Sequence, residues 1–303
     1  MNKRLIITCI ATMSVAIFIA MPAAADSFNF STGNPDGLMA VATRPSTAGK
    51  FEIEAGDDFV LTSSQTIINS ATFVGLLTNG ATVGDLRVEI YRIFPKDSDV
   101  GRTSGPPTFS TPQVPTRVNS PSDVEFDDRD TASGNLSFTT AVLGNTFSAN
   151  NSVQPGGIHP KPGQTTGGNG PITGQEVQFN VTFSTPFDLP QDHYFFVPQV
   201  EIVEPGGNFF WLSAPKPIVP PGTPFPPGFT DLQAWTRDKF LDPDWLRVGS
   251  DIVGGSPAPT FNMTFSLSGE TVPNATPEPG SLLLLGSGLL AVGGFLRRRL
   301  IAV

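Results

Sequence analysis

Five carboxylates, Asp123, Glu125, Asp127, Asp128 and Asp130, crowd one short stretch of the chain. Oxygen-rich segments of this kind suit Ca²⁺, which takes six to eight hard ligands. The stretch is therefore a candidate calcium site, with smaller acidic groups at Asp57 and Asp58, Asp97 and Asp99, and Asp242 and Asp244. Arg129 intrudes on the main cluster, and neither an EF-hand nor a nonapeptide calcium repeat is present, so a solvated acidic face is the competing reading. Calcium is the one cofactor that these residue types suggest. Trp235 and Trp245 lie in polar, turn-like sequence and are candidates for exposed rings that stack on sugars, whereas Trp211 follows Phe209 and Phe210 and reads as core. The histidines are His159, in a Gly- and Pro-rich run, and His193, at the start of an apolar stretch where a satisfied polar role is expected. A nucleophile elbow, an HExxH pair, a phosphate loop and a Rossmann fingerprint are all missing, so no enzyme is expected. The paired carboxylates of a glycosidase leave no spacing signature, and that alternative stays open.

The elements that would position these groups are strands. Gly 31 and Pro 30 make up about a fifth of the 303 residues, and charged residues only 15%, which favours short strands joined by turns. Val177, Phe179, Val181 and Phe183 alternate with polar residues over Glu176 to Ser184; Phe261, Met263, Phe265 and Leu267 repeat the pattern from Thr260 to Ser268. Leu86, Val88 and Ile90 share one face of Asp85 to Phe94, while Tyr91 and Ile93 add apolar surface to the other. Further candidate strands run over Phe51 to Glu54, Phe59 to Thr62, Ile67 to Leu77, Leu136 to Val142, Tyr194 to Val203, Phe209 to Leu212 and Trp245 to Val248. About ten such strands predict a mainly β body, an antiparallel β-sandwich of jelly-roll type. Long Pro- and Gly-rich loops are expected at Ser104 to Pro121, Gln154 to Gly174 and Ser213 to Gly228; read as linkers, they would divide two domains instead.

The two ends read differently from the body. Lys3 and Arg4, an apolar run from Leu5 to Ala20, and Ala23-Ala24-Ala25 before Asp26 have the order of a cleavable export leader, a signal helix over residues 1–25. The sole cysteine, Cys9, falls within it, so a chain starting near Asp26 has no thiol for a disulfide or a nucleophile. At the other end a linker over 271–279 holds Pro277-Glu278-Pro279, and residues 280–303 comprise a charge-free run from Gly280 to Leu296, then Arg297, Arg298 and Arg299. Seventeen residues reach about 25 Å as a helix against about 30 Å of hydrocarbon, so a transmembrane helix is expected if flanking residues help. The arginines place its end in the cytoplasm and the 26–270 body outside the inner membrane. Setting aside the five bases of the two ends leaves 13 bases against 27 acids, a net of about −14, which disfavours nucleic acid as a partner.

The Pro-Glu-Pro tripeptide, apolar segment and arginine cluster, in that order, resemble the PEP-CTERM sorting signal of Gram-negative bacteria. The resemblance implies recognition by an exosortase, an integral-membrane cysteine protease, at Pro277, Glu278 and Pro279. It further implies export, transient inner-membrane anchoring that faces the periplasm, and a final place at the cell surface or outside. The expected role is a structural or interaction protein of the envelope or the biofilm matrix, with exopolysaccharide as a partner. A carbohydrate-binding module, calcium-assisted or not, and a secreted glycosidase are the alternatives.

Overall fold

The computed structural model describes residues 25–47, 49–78, 80–98, 118–154, 165–272 and 279–301. Ala23 with the rest of residues 1–24, Asp99, His159, most of Ser104 to Pro121, and Pro277 with Glu278 lie outside them. Strand is the dominant secondary structure among the described residues, so the body is mainly β as expected. Among the described residues thirteen strands run in chain order: β1 (Asp26–Ser31), β2 (Met39–Ala42), β3 (Ile53–Leu77), β4 (Val83–Arg92), β5 (Asp127–Asp130), β6 (Leu136–Ala149) and β7 (Asn151–Val153); then β8 (Ile172–Ile202), β9 (Phe209–Ala214), β10 (Trp235–Asp238), β11 (Leu246–Arg247), β12 (Asn262–Met263) and β13 (Phe265–Thr271). Residues Asp26–Val272 form one compact unit.

Two strands are far longer than the alternation suggests. The three stretches expected between Phe51 and Leu77 merge into the 25 residues of β3, and those over Glu176 to Ser184 and Tyr194 to Val203 merge into the 31 of β8. β3 and β8 pair antiparallel from Asp57↔Phe196 to Leu77↔Gln175, with register shifts between Leu61 and Gln65 and between Ile68 and Ser70. Shifts of this sort bend a ribbon without ending its hydrogen bonding. The bend is read directly from the aromatic rings. Phe59 and Phe73 stand fourteen residues apart, about 46 Å along a straight strand. Yet the Phe265 ring lies 6.4 Å from Phe59 and 5.0 Å from Phe196, and Phe196 lies 6.3 Å from Phe73. The ribbon therefore folds back so that both of its halves line one core.

Around that ribbon the order is β5-β4-β8-β3-β9-β2-β7, with β6 also on β8, β13 and β10 also on β3, β1 on β13, β11 on β10 and β12 on β9. Pairing is antiparallel except between β2 and β7, which run parallel, so the all-antiparallel expectation is corrected at that edge. The core takes in Val177, Phe179, Val181, Phe183, Phe265 and Leu267, all buried on the face that their alternation assigns. Tyr91 belongs elsewhere: with Phe195, Val197, Leu232, Trp235 and Trp245 it forms a second, smaller core. β4 is thus buried on both faces, which explains why its alternation is imperfect.

The helix expected near the C-terminus is α1 (Pro279–Ile301), 23 residues long. Among the described residues, however, no helix is long and apolar enough to cross a membrane. The helix stands where the sequence places one. Its charge-free run is short and carries Gly280, Gly286, Gly288, Gly293 and Gly294.

β13 packs closest to β3 where its register shifts, between Ser268 and Gly269. A Cβ at Gly269 would run into the Ile67 carbonyl, a backbone atom that cannot turn aside. Gly269→Ala is expected to destabilise the protein by about 1–3 kcal/mol, read as a lower denaturant midpoint at unchanged slope.

Candidate functional site

Trp235 and Trp245 are buried, at 1% and 2% exposure, and this corrects the expectation of exposed sugar-stacking rings. Turn-like flanks bring them inward because cations cover their faces: the Arg237 guanidinium lies 4.4 Å over Trp245 and that of Arg247 5.0 Å over Trp235. The Trp245 indole also donates to the Ser122 carbonyl at 3.2 Å.

The acidic stretch disperses. Successive residues of β5 point to opposite faces of the sheet, so its carboxylates cannot converge on one ion. Asp127 accepts from Arg129 at 2.6 and 2.9 Å, Asp128 pairs with Arg87 at 3.3 Å, and Asp130 accepts from the Ser133 hydroxyl at 3.1 Å. Asp123 is buried and Glu125 exposed, and both line a cleft. Among the described residues no three His, Cys, Asp or Glu side chains are arranged to hold a metal ion.

That cleft, of about 830 Å³, is lined by Glu52, Glu54, Glu89, Asp97, Asp123, Glu125 and Asp242, together with Arg87, Tyr91, Arg237 and Lys239. Its floor is a hydrogen-bonded cluster that sequence inspection did not single out. Arg237, on β10, donates through Nε and Nη2 to both oxygens of Glu54 on β3, and through Nη2 to the Tyr91 hydroxyl at 2.9 Å. Its Nη1 donates to the carbonyls of Asp123 and Pro243, at 3.2 and 3.1 Å. The Tyr91 oxygen stands 2.8 Å from Glu54 Oε1 and 3.1 Å from Glu89 Oε2. One hydroxyl proton cannot serve both carboxyls, so one of the two must bring its own.

Electrostatics decides which. Burial pushes Glu54 up, but the charge and hydrogen bonds of Arg237 outweigh it and leave this carboxyl below its ordinary range, ionised. Burial, and then the charges of Glu54 and Glu125, hold Glu89 well above its ordinary range; Arg87, 3.1 Å away, does not offset them. A carboxyl held toward its neutral form therefore sits beside one held toward its ionised form, the division that general acid–base chemistry uses. Glu52, at the rim, is also raised by burial and by Glu54.

A second polar cluster ties the Pro-rich segment after β9 to the body. Lys216 Nζ donates to the Asp231 and Leu232 carbonyls at 2.9 and 2.6 Å, and to Asp231 Oδ1 and Asn262 Oδ1 at 2.8 and 2.9 Å. Asp58 Oδ2 lies 2.6 Å from His193 Nε2 and accepts from the Leu232 amide at 3.1 Å, so His193 ends in a satisfied polar contact. Asp57 accepts from the Met263 amide at 2.7 Å. Burial raises both aspartates. Through these side chains the segment is tied to β3 and β12.

The raised Glu89 has a measurable sign. A carboxyl whose folded pKa exceeds its unfolded value of about 4.3 binds more protons when folded, so its contribution is full below that pH and is lost as pH rises through the folded pKa. Glu89→Gln does not titrate. Its melting temperature relative to wild type is expected to climb from about pH 4.3 upward; a difference that stays flat from about pH 4 to 8 would show that Glu89 is ionised.

The tail carries the remaining site residues. Pro279 is the first residue of α1, and Arg297 and Arg298 are exposed on its last turns. Leu289, Leu290, Val292 and Phe295 are exposed as well, so the helix offers apolar side chains on more than one side. Residues 275–299 match a family described as the PEP-CTERM protein-sorting motif. No curated protein and no solved structure is significantly similar to the chain. The motif implies export and recognition by an exosortase. The chain thus carries a PEP-CTERM protein-sorting motif, confined to residues 275–299.

Proposed function

We propose that this protein is an exported structural or interaction protein of the cell envelope or extracellular matrix, delivered by a leader ending near Ala25 and then sorted through its tail. The observation that carries the reading is the sorting motif at 275–299, attached to an acidic β body with no cysteine. In this reading the body is a jelly-roll-like sandwich outside the inner membrane of a Gram-negative cell, and exopolysaccharide of a biofilm matrix is its surroundings. Residues 280–303 anchor it transiently. Leu300 and Ile301 lengthen the apolar run, and the arginines snorkel to the cytoplasmic headgroups. Pro277, Glu278 and Pro279 are the residues that the exosortase recognises in this reading.

A second reading, hydrolysis of a glycosidic bond, draws on one observation: the Glu54 and Glu89 carboxyls meet on a cleft floor, one ionised and one neutral. Glycosidases use two carboxyls in those roles. The sugar-binding reading loses its aromatic platform with the burial of Trp235 and Trp245.

Intact-mass measurement of the released protein tests the sorting reading. The wild-type form is expected to begin near Asp26 and end near Pro277 to Pro279. Glu278→Ala is expected to leave the tail attached and the protein in the membrane fraction. Released protein that retains Arg297 to Arg299 would overturn the reading. For the second reading, wild type should release reducing ends from some member of a polysaccharide panel, and Glu89→Gln should lower that rate at least about a hundredfold.

A further inference from the structure

Sheet edges are templates for other strands, and proteins blunt them with short lengths, charges or prolines. The edges of this body follow that rule with one departure. β5, on β4 alone, has four residues, all charged; β7 has three residues. β6 is fourteen residues long, and among the described residues it pairs with β8 alone. It contains neither a charge nor a proline, and the chain from Thr131 to Pro160 has no Asp, Glu, Lys or Arg at all. Two register shifts against β8, at Val142/Gly144 and Gly144/Phe147, leave Leu136–Val142 as its longest run of regular pairing. Those seven residues, Leu-Ser-Phe-Thr-Thr-Ala-Val, have neither Gly nor Pro and are rich in β-branched and aromatic side chains, the composition of segments that pair between chains.

We propose that Leu136–Val142 is a self-association edge, at which a second copy of this chain adds its own β6 antiparallel across a two-fold axis near Thr139. Charge selects the occupant. A body of about −14 repels its own copies over most of its surface, and this edge is the long stretch where two of them can meet without opposing carboxylates. The nearest acid on the adjoining strand, Glu176, is paired with Gly144, beyond the regular stretch. A two-fold arrangement is isologous and closes at a dimer. It sets Leu136 opposite the partner's Val142 and Phe138 opposite the partner's Thr140, so that Val142, 56% exposed in the single chain, gains an apolar neighbour. Main-chain hydrogen bonds supply affinity along the whole segment.

The test uses the full chain in detergent micelles, with protein mass followed by sedimentation as concentration varies. Wild type is expected to reach the mass of two chains. Thr139→Lys sets two ammonium groups against each other at the axis and is expected to weaken the dimer about tenfold or more, at an unchanged melting temperature. Thr139→Val, which keeps the shape and raises β propensity, is expected to hold it. Thr139→Cys in a Cys9→Ser background should cross-link to itself on oxidation, because opposed residues of an antiparallel pair bring their Cα atoms within disulfide range. Asn150→Cys, also exposed, should not. Association through the tail would ignore Thr139→Lys and yield no cross-link at 139. A monomeric wild type, or a dimer indifferent to Thr139→Lys, overturns the proposal. Should that variant fail to fold, the self-cross-link decides.

Discussion

The constraint on which the body depends is the pairing of two long strands, kept on both sides of a bend. β3 and β8 keep their ladder from Asp57 to Leu77 across two register shifts, and the shifts fold the ribbon back on itself. Everything in the core follows from that fold. Phe73 stacks on Phe179 at 4.7 Å within the far half, Phe59 stacks on Tyr194 at 5.6 Å within the near half, and Phe196 and Phe265 join the two. The composition suits such a shared interior, since 24 Phe against 2 Tyr supplies rings that need no hydrogen-bond partner. The bends come at polar and proline positions, with Gln65 opposite Pro190, where the main-chain ladder was weakest in any case.

Because the ribbon bends, its near half has a second face to cover, and the chain covers it with β10, β11 and the turns around them. That cover is held by charge rather than by area alone. Arg237 brings one guanidinium against Glu54, Tyr91 and the Trp245 ring, all nearly enclosed. A buried pair gains little over an apolar substitute, but losing one partner strands the other at a cost of about 3–5 kcal/mol. The network therefore fixes where β10 sits more than it adds to stability. The raised Glu89 is the consequence: its burial and the charge of Glu54 beside it oppose its ionisation, and Arg87 on its other side does not offset them.

Much of this was legible in the residues, and what was not has a physical reason. Alternation placed Val177, Phe179, Val181, Phe183, Phe265 and Leu267 correctly, because one-sided burial writes itself into every second residue. It divided β3 and β8 into pieces, since a bend within a strand looks like an end. The cleft floor was hidden for a related reason. Glu54 and Glu89 read as surface residues between apolar neighbours, and only the apolar Tyr91 and Ile93 on the same face signalled a second cover. Trp235 and Trp245 were misjudged because polar flanks do not mean an exposed ring when the flanking Arg237 and Arg247 lie over the indoles themselves. The tail was the easiest part, since a processing signal is read by other proteins as linear sequence and needs no partner within the fold to complete it.

That difference bears on how one chain serves two purposes. A sorting signal has to work before and apart from the body, so its information is local: a tripeptide, an apolar run and three arginines within residues 275–299. A body with the proposed matrix or envelope role would have the opposite need. It must stay soluble through export and then tolerate crowding among copies of itself, which an acidic surface achieves by repulsion. Repulsion alone would keep such molecules apart at their destination as well, so a body that is to build anything must leave some surface uncharged. In this protein the charge-free stretch coincides with the long edge of the sheet at β6, where backbone groups, rather than side chains, are what a neighbour would meet.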